Sequence, residues 1–394
     1  MYTFAGLSPA RGPERNPPDV TSLAKPIDLR TLRATVPADI FELPRFRTLG
    51  KALFLLSVVA AMLALGTTVD SLVWKLVIGV LTGVPLFALA SVGHESGHGS
   101  ASRNRFTNDL VGLVSMSVIG MPARGWKLKH DIHHKWGGVL GVDTDTEPGL
   151  ENYLKLGWFM RTFVRIFNRH ESMMWWAIPV SLWVTTWKFA IIELVRGPMR
   201  RSVHKKWLLA DMAAALVFFA GVIAYTVAFG WTNLLILIAL PFAVSGYVSA
   251  VAFVPNHRGM PPLTEEQGRR ASRFTHLNSR TVLYPPYLPG NYFMNYVPWQ
   301  IEHHVFPTLP GYKLSRFSPY LRAYAAKEGL PLQYETVFEA MPRMLRREWL
   351  WGSGDGKLYT YAEAEVIRRE RKAAAHAGAA ASQPIRVTAT APEA

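Results

Sequence analysis

Four stretches of the chain are apolar almost without a break, and polar residues crowd between them. Ala52–Val69 and Leu72–Val92 flank a tight Asp70–Ser71 turn, and Trp207–Phe229 and Trp231–Val254 flank Gly230 alone. A hydrocarbon layer about 30 Å thick needs roughly 20 apolar residues in a helix. Only a helix satisfies its own backbone there. The pattern predicts two helical hairpins, with spans at about 52–69, 72–92, 207–229 and 231–254. Two other stretches read differently. Residues 110–121 are too few to cross. Residues 172–195 are enough, but they carry Lys188, Glu193 and four tryptophans, Trp175, Trp176, Trp183 and Trp187. That mixture predicts helices lying in the interface.

Charge then orients the hairpins. The chain has 394 residues, 49% of them hydrophobic, and a formal net charge of +15. Both hairpin tips are short and nearly uncharged, whereas His94–Lys206 holds 16 Lys and Arg against 9 Asp and Glu. Basic segments stay on the cytoplasmic side, so both termini and the central loop are expected there. The basic residues flank apolar spans rather than forming one stripe, which argues against nucleic acid as a partner. With no cysteine, the chain offers no disulfide, thiolate zinc site or iron–sulfur cluster. The first residues have no apolar core of a signal peptide and read as a mobile cytosolic arm. The alanine-rich end reads as disordered after about residue 370. The expected organisation is an arm over 1–48, a membrane domain over 49–345 and a cytosolic extension over 346–394.

Histidine is scarce, at twelve residues, yet it clusters. "HESGH" places His94 and His98 one helical turn apart, on one face. "HDIHH" sets His130 beside both His133 and His134, while those two neighbours point about 100° apart. "QIEHH" repeats that geometry with Gln300 ahead of His303 and His304. Adjacent histidines chelate one ion poorly but can serve two ions on either side of a helix. With His257, just after the fourth span, eight imidazoles suit two ions. An all-imidazole shell fits iron, zinc, copper or nickel, and residue spacing does not choose among them. The clusters meet only if an even number of crossings separates them, which supports interfacial placement of 172–195. His170, His204, His276 and His376 stand alone and read as ordinary surface or core residues.

These motifs, with "GHESGHGS", "NHRGMP" and "GNYFMNYVPWQIEHHVFPTLPGYKL", resemble the membrane fatty acid desaturase family over roughly residues 50–335. The glutamine of QxxHH resembles front-end members. The resemblance implies an all-α integral membrane fold, four spans in two hairpins under a cytosolic helical cap that holds two irons. It implies O2-dependent removal of two hydrogens from an acyl chain. His94, His98, His130, His134 and His303 would hold one iron, and His133, His257 and His304 the other, with Gln300 as a possible further ligand. The sequence has no HPGG haem motif of a fused cytochrome b5, so electrons are expected from a separate donor of ferredoxin, cytochrome b5 or flavoprotein type.

Ligating imidazoles need acceptors for their free ring N–H groups. Asp131 and Glu302 sit inside the boxes and are the favoured candidates, ahead of Glu95 and Asp145. Asp143 and Glu147 read better as solvated loop carboxylates. Trp126, Trp136, Tyr292, Phe293, Tyr296 and Trp299 are candidates to line an acyl tunnel, and Arg124, Lys127 and Lys129 to hold a head group. Three rival readings remain: a hydroxylase of the same superfamily, a membrane zinc hydrolase of lipid amides, and a bis-histidine haem carrier.

Overall fold

In the computed structural model of the chain, residues 25–43, 46–145, 149–162, 171–196, 203–285, 290–345, 350–353 and 357–381 are described. Almost all regular structure is helical. Among the described residues, three helical runs are long and apolar enough to cross a bilayer: Arg47–Thr68, Leu72–Gly97 and His204–His257. The last run, 54 residues long, is interrupted at Gly230, where φ is 82° and ψ 168°. That backbone region belongs almost to glycine alone. The run folds back there. Near its start Asp211 accepts from the Arg124 backbone N–H at 2.8 Å, and at its end His257 lies 2.8 Å from Gln300. Around the reversal, Tyr225 meets Thr67 and Asn233 meets Lys75, each at 2.7 Å.

The Leu72–Gly97 helix is the central one. Gly79 and Gly83, one turn apart, let it approach the returning run closely. A Cβ on Gly79 would stand 2.3 Å from the Ile236 carbonyl oxygen, and one on Gly83 2.5 Å from Val244. Where lipid removes the hydrophobic drive between helices, such small-residue seams permit backbone-to-backbone packing. Both helices also run past the apolar stretches that predict them, reaching Gly97 and His257. Box residues extend them because their polar side chains are buried among one another rather than solvated.

The two expected interfacial stretches are helices. The first begins at Arg105 rather than 110, since Asn104 caps it by accepting from the Phe106 and Thr107 N–H groups. It ends at Ser117. The second, Glu171–Arg196, is not among the three runs apolar enough to cross. Trp183 and Trp187 both donate to the Gly120 carbonyl, at 2.9 and 2.8 Å.

The first residues, read as mobile, lie outside the described part, but both ends hold packed structure. Residues 25–41 of the arm are packed. Asp28 caps Leu29–Ala34, and Ile27, Leu32 and Ile40 are buried with Ile301, Phe317 and Leu321. At the other end, a helix spans Tyr361–Ala381, through residues whose composition predicts disorder. Alanine and arginine are strong helix formers, and Arg371 is held to Glu151 by two hydrogen bonds. Residues beyond 381 lie outside the described part. Among the described residues there are also two short strand pairs: Thr281–Leu283 with Tyr334–Thr336, parallel, and Leu350–Gly352 with Leu358–Thr360, antiparallel.

Candidate metal centre

Each histidine cluster is delivered by a helix end. His94 closes the Leu72–Gly97 helix and His98 is its C-cap. The second cluster lies on Ala123–Trp136, whose N-terminus has no side-chain cap of its own because Pro122 occupies that place. Asp211 reaches across instead, accepting from Arg124 N at 2.8 Å and Gly125 N at 3.1 Å. A buried carboxylate at a helix N-terminus satisfies orphan N–H groups and complements the helix dipole. The third cluster rides on Gln300–Val305, every residue of which is buried.

The structure sorts the imidazoles into two groups. His94, His98, His130, His134 and His303 form one and His133, His257 and His304 the other, with the donor atoms of each within 4.8 Å of one another. The doubled histidines split between them: His134 and His303 face the first group, His133 and His304 the second. Gln300 Nε2 stands 2.8 Å from His257 Nε2 and 2.7 Å from His304 Nε2.

These contacts fit a metal better than a hydrogen-bond network. His130 Nε2 lies 3.1 Å from both His94 Nε2 and His134 Nε2, and His134 Nε2 lies 3.1 Å from His303 Nε2. One ring nitrogen carries at most one proton, so so many nitrogens cannot all pair. His98 Nε2 is buried with no hydrogen-bond partner among the described residues. Lone pairs converging in this way are satisfied by a cation. The donor set excludes hard, oxygen-seeking ions.

Protonation states agree. Burial, reinforced by repulsion among neighbouring imidazoles, holds His98, His130, His134, His303 and His304 well below the usual histidine range. They are therefore neutral donors at physiological pH. His133 differs. Burial pulls it down, but the charge and hydrogen bond of Asp143, with help from Asp145, outweigh that and raise it.

The acceptors behind the ligands are mostly not the ones inside the boxes. Asp131 is exposed and paired with Lys127, one step round the helix from His130 and facing away. Glu302 is fully buried, yet it accepts from Thr281 Oγ1 at 2.6 Å and Tyr334 OH at 2.7 Å rather than from a ring. It anchors the third-box helix to the parallel strand pair, and burial with its charge raises the Tyr334 hydroxyl well above the ordinary range. Glu95 is bound by Asn295 and Thr48. Asp143, expected in solvent, is instead fully buried and 2.8 Å from His133 Nδ1. Asp145 lies 3.3 Å from His130 Nδ1 and pairs with Lys129. His257 Nδ1 donates to the Asn278 carbonyl at 3.0 Å, which leaves Nε2 for the centre. Glu147 lies outside the described residues.

The other candidates divide. Trp126 stacks on His130, centroids 4.4 Å apart. Tyr296 and Trp299 pack into the core with Ile301, Phe293 packs beside Leu55, and Trp136 against the Val139 cluster. Tyr292 lies under Lys51. Arg124, Lys127 and Lys129 are each paired with a carboxylate, Asp109, Asp131 and Asp145 respectively, so none is a spare cation for a head group. Asp211 and Asn278 were missed by sequence reasoning, and Asp143 was set aside there as a solvated loop carboxylate. Only Asp211, an acid inside an apolar span, carries a signal that could have found it.

A family model described as fatty acid desaturase matches residues 71–336. An sn-1 acyl-lipid omega-3 desaturase (ferredoxin) of Synechocystis sp. is 25% identical over 304 residues, covering 74% of this chain and 79% of that protein. An sn-1 oleoyl-lipid 12-desaturase of Arthrospira platensis is 27% identical over 301 residues, covering 73% and 79%. A Delta(5) fatty acid desaturase of Caenorhabditis elegans is 25% identical over 285 residues, covering 66% and 60%.

Proposed function

The chain belongs to the fatty acid desaturase family and is an oxidoreductase, and on that premise we propose that it inserts a double bond into a membrane-held acyl chain at two irons. The observation that carries this reading is the pair of adjacent, buried, all-imidazole groups, five donors and three. Two ions bound there meet only neutral rings, with Asp143 and Asp145 one layer further out. A hydrolytic zinc site needs about three ligands and a water, so it leaves five of the eight imidazoles unexplained.

Iron would supply the redox chemistry: one –CH2–CH2– unit, O2, two electrons and two protons give –CH=CH– and two waters. The chain's own residues position and insulate. Asp143, Asp145 and the Asn278 carbonyl fix three rings by their outer nitrogens, so that the inner lone pairs keep one direction. Burial keeps the remaining imidazoles unprotonated and ready to bind. Gln300 spans His257 and His304 and is suited to a weak fourth contact in the three-histidine group.

The reading extends to placement. Four crossings in two hairpins, the second reversing at Gly230, put the histidine clusters on one side of the bilayer, and the positive-inside rule makes that side cytoplasmic. Electrons come from a separate donor. Two relatives that carry "ferredoxin" in their names favour a donor of that kind. The acyl-lipid names among the relatives favour a lipid-bound rather than a free acyl chain as substrate.

The test is expression in a host with a simple lipid profile, followed by mass-spectrometric location of new double bonds. Wild-type chain should create them, and His303→Ala should create none while inserting normally in the membrane. Full activity of His303→Ala would count against the assignment.

A further inference from the structure

The family match ends at residue 336, yet the chain continues into a hairpin and helix that return to the metal centre's supporting loop. That loop begins at Gly137 and carries Asp143 and Asp145, the acceptors behind His133 and His130. It is a chain of turns: Asp143 accepts from Gly138 N at 2.6 Å and donates its own N–H to the Val139 carbonyl at 2.9 Å, and Thr144 donates to the Lys129 carbonyl at 3.0 Å. Leu263 pins its start by donating to the Gly138 carbonyl at 2.9 Å. Gly138 and Gly141 hold φ of 79° and 77°, so no helix or strand carries Asp143 and Asp145.

The C-terminal segment grips this loop at two places. At one end Gly352 sits against Leu140, whose methyl lies 2.5 Å from where a Cβ on Gly352 would stand. Gly352 also bridges Gly149 in parallel fashion. At the other, the Leu150–Leu154 helix is packed onto the Tyr361–Ala381 helix. Tyr153 is fully buried with Leu150 and Ala364, and its hydroxyl donates to Glu365. Glu365 is itself held by Arg368 through two hydrogen bonds, and Arg371 takes Glu151 in the same forked way. The two grips lie on either side of Asp143 and Asp145.

We propose that residues 350–353 and 357–381 are a clasp whose role is to hold Asp143 and Asp145 against His133 and His130, so that Tyr153, Glu365 and Gly352 are positioning residues for metal retention. The proposal rests on the metal-centre reading above. It assigns a function to a segment that lies beyond the family match. The clasp acts on the metal through the carboxylates, not by touching any imidazole.

The full-length chain, loaded with Fe2+ in detergent, is challenged with an excess of chelator, and release is followed alongside thermal unfolding. Tyr153→Phe and Glu365→Ala should each speed release about fivefold, the factor that corresponds to one ordinary hydrogen bond. In an Asp143→Asn, Asp145→Asn background the same substitutions should change release little, because the route to the rings is already cut. Equal acceleration in both backgrounds would show a general loosening and overturn the clasp. Wild-type release rates in Tyr153→Phe and Glu365→Ala would overturn it too, while leaving the metal centre intact. A wild-type chain that holds no iron would remove the metal reading and the clasp together.

Discussion

Asp143→Asn is the substitution that tests the metal centre most sharply, because it changes charge and one donor pattern with almost no change in volume. One Asp143 oxygen faces His133 Nδ1 at 2.8 Å and the Asp145 N–H at 3.0 Å, and the other accepts from Gly138 N at 2.6 Å. Every one of these partners is a donor. An asparagine has one oxygen to offer, so its NH2 must face either His133 and Asp145 or Gly138. Either orientation leaves a buried N–H unmatched, at a cost of about 1–3 kcal/mol. Loss of an acceptor behind a ligand typically weakens a metal about 10- to 100-fold, or about 1.4–2.7 kcal/mol, the same size by an independent route. Competitive titration of metal-free chain with Co2+ and a coloured chelator reads it. The weakening should fall on one of two ions, the one in the three-histidine group. The pH dependence should move as well: His133 is raised in the wild type, so binding there must expel a proton and tightens as pH rises through that raised value. Without the Asp143 carboxylate, burial is opposed only by the weaker charge of Asp145, and the dependence shifts to lower pH. Two ions bound with wild-type affinity and an unmoved pH profile would refute the role of Asp143.

Acid should destabilise the metal-free chain. His98, His130, His134, His303 and His304 are held below the ordinary value when folded, so below about pH 6.5 the unfolded chain takes up protons that the folded chain refuses. Their contribution is intact above that pH and is lost as pH falls; His133, raised, works in the opposite sense, one ring against five. Unfolding temperatures measured from about pH 8 down to about pH 5 should therefore drop, and a flat profile would contradict the burial of these rings. Asp211→Ala removes the acceptor for two N–H groups at the start of the second-box helix and should cost about 1–2 kcal/mol of stability, read as a lowered unfolding temperature. Asparagine there should recover much of it. The absence of cysteine makes sidedness directly measurable: in intact cells, Asp70→Cys should react with an impermeant maleimide and Arg322→Cys should not. The reverse pattern would invert the topology.

The two ions, if divalent, would bring four positive charges into a site whose donors are all neutral rings. Asp143 and Asp145 stand immediately behind that shell, and Lys129 offsets one of them. The carboxylates would compensate that charge from behind the rings, without themselves belonging to either imidazole group. Ring orientation is controlled from the loop that carries them.

The histidine-bearing helices were legible because their signal is local. Box spacing sets His94 and His98 one turn apart, and the split of doubled histidines between two groups follows from 100° per residue. Apolar length likewise marks the hairpins, and Gly230 marks the reversal. What was not legible depends on chain that travels through space. Asp131 lies within a box and looked like the natural acceptor, but the same 100° that separates His133 from His134 turns it outward to Lys127. Asp143 lies ten residues beyond His133 and reaches it only because Gly138 and Gly141 turn the loop back. Its composition, a carboxylate in a run of Asp, Thr and Gly, is that of a solvated loop. The packing of Ile27 to Ile40 was not legible for the same reason: the apolar residues there are too sparse to predict burial until the Gly311–Glu328 helix supplies the surface they cover. Periodicity reads which face a helix presents, and it says nothing of what a distant loop brings to that face. In this chain the clustered histidines belong to the first category, and the residues that aim their rings belong to the second.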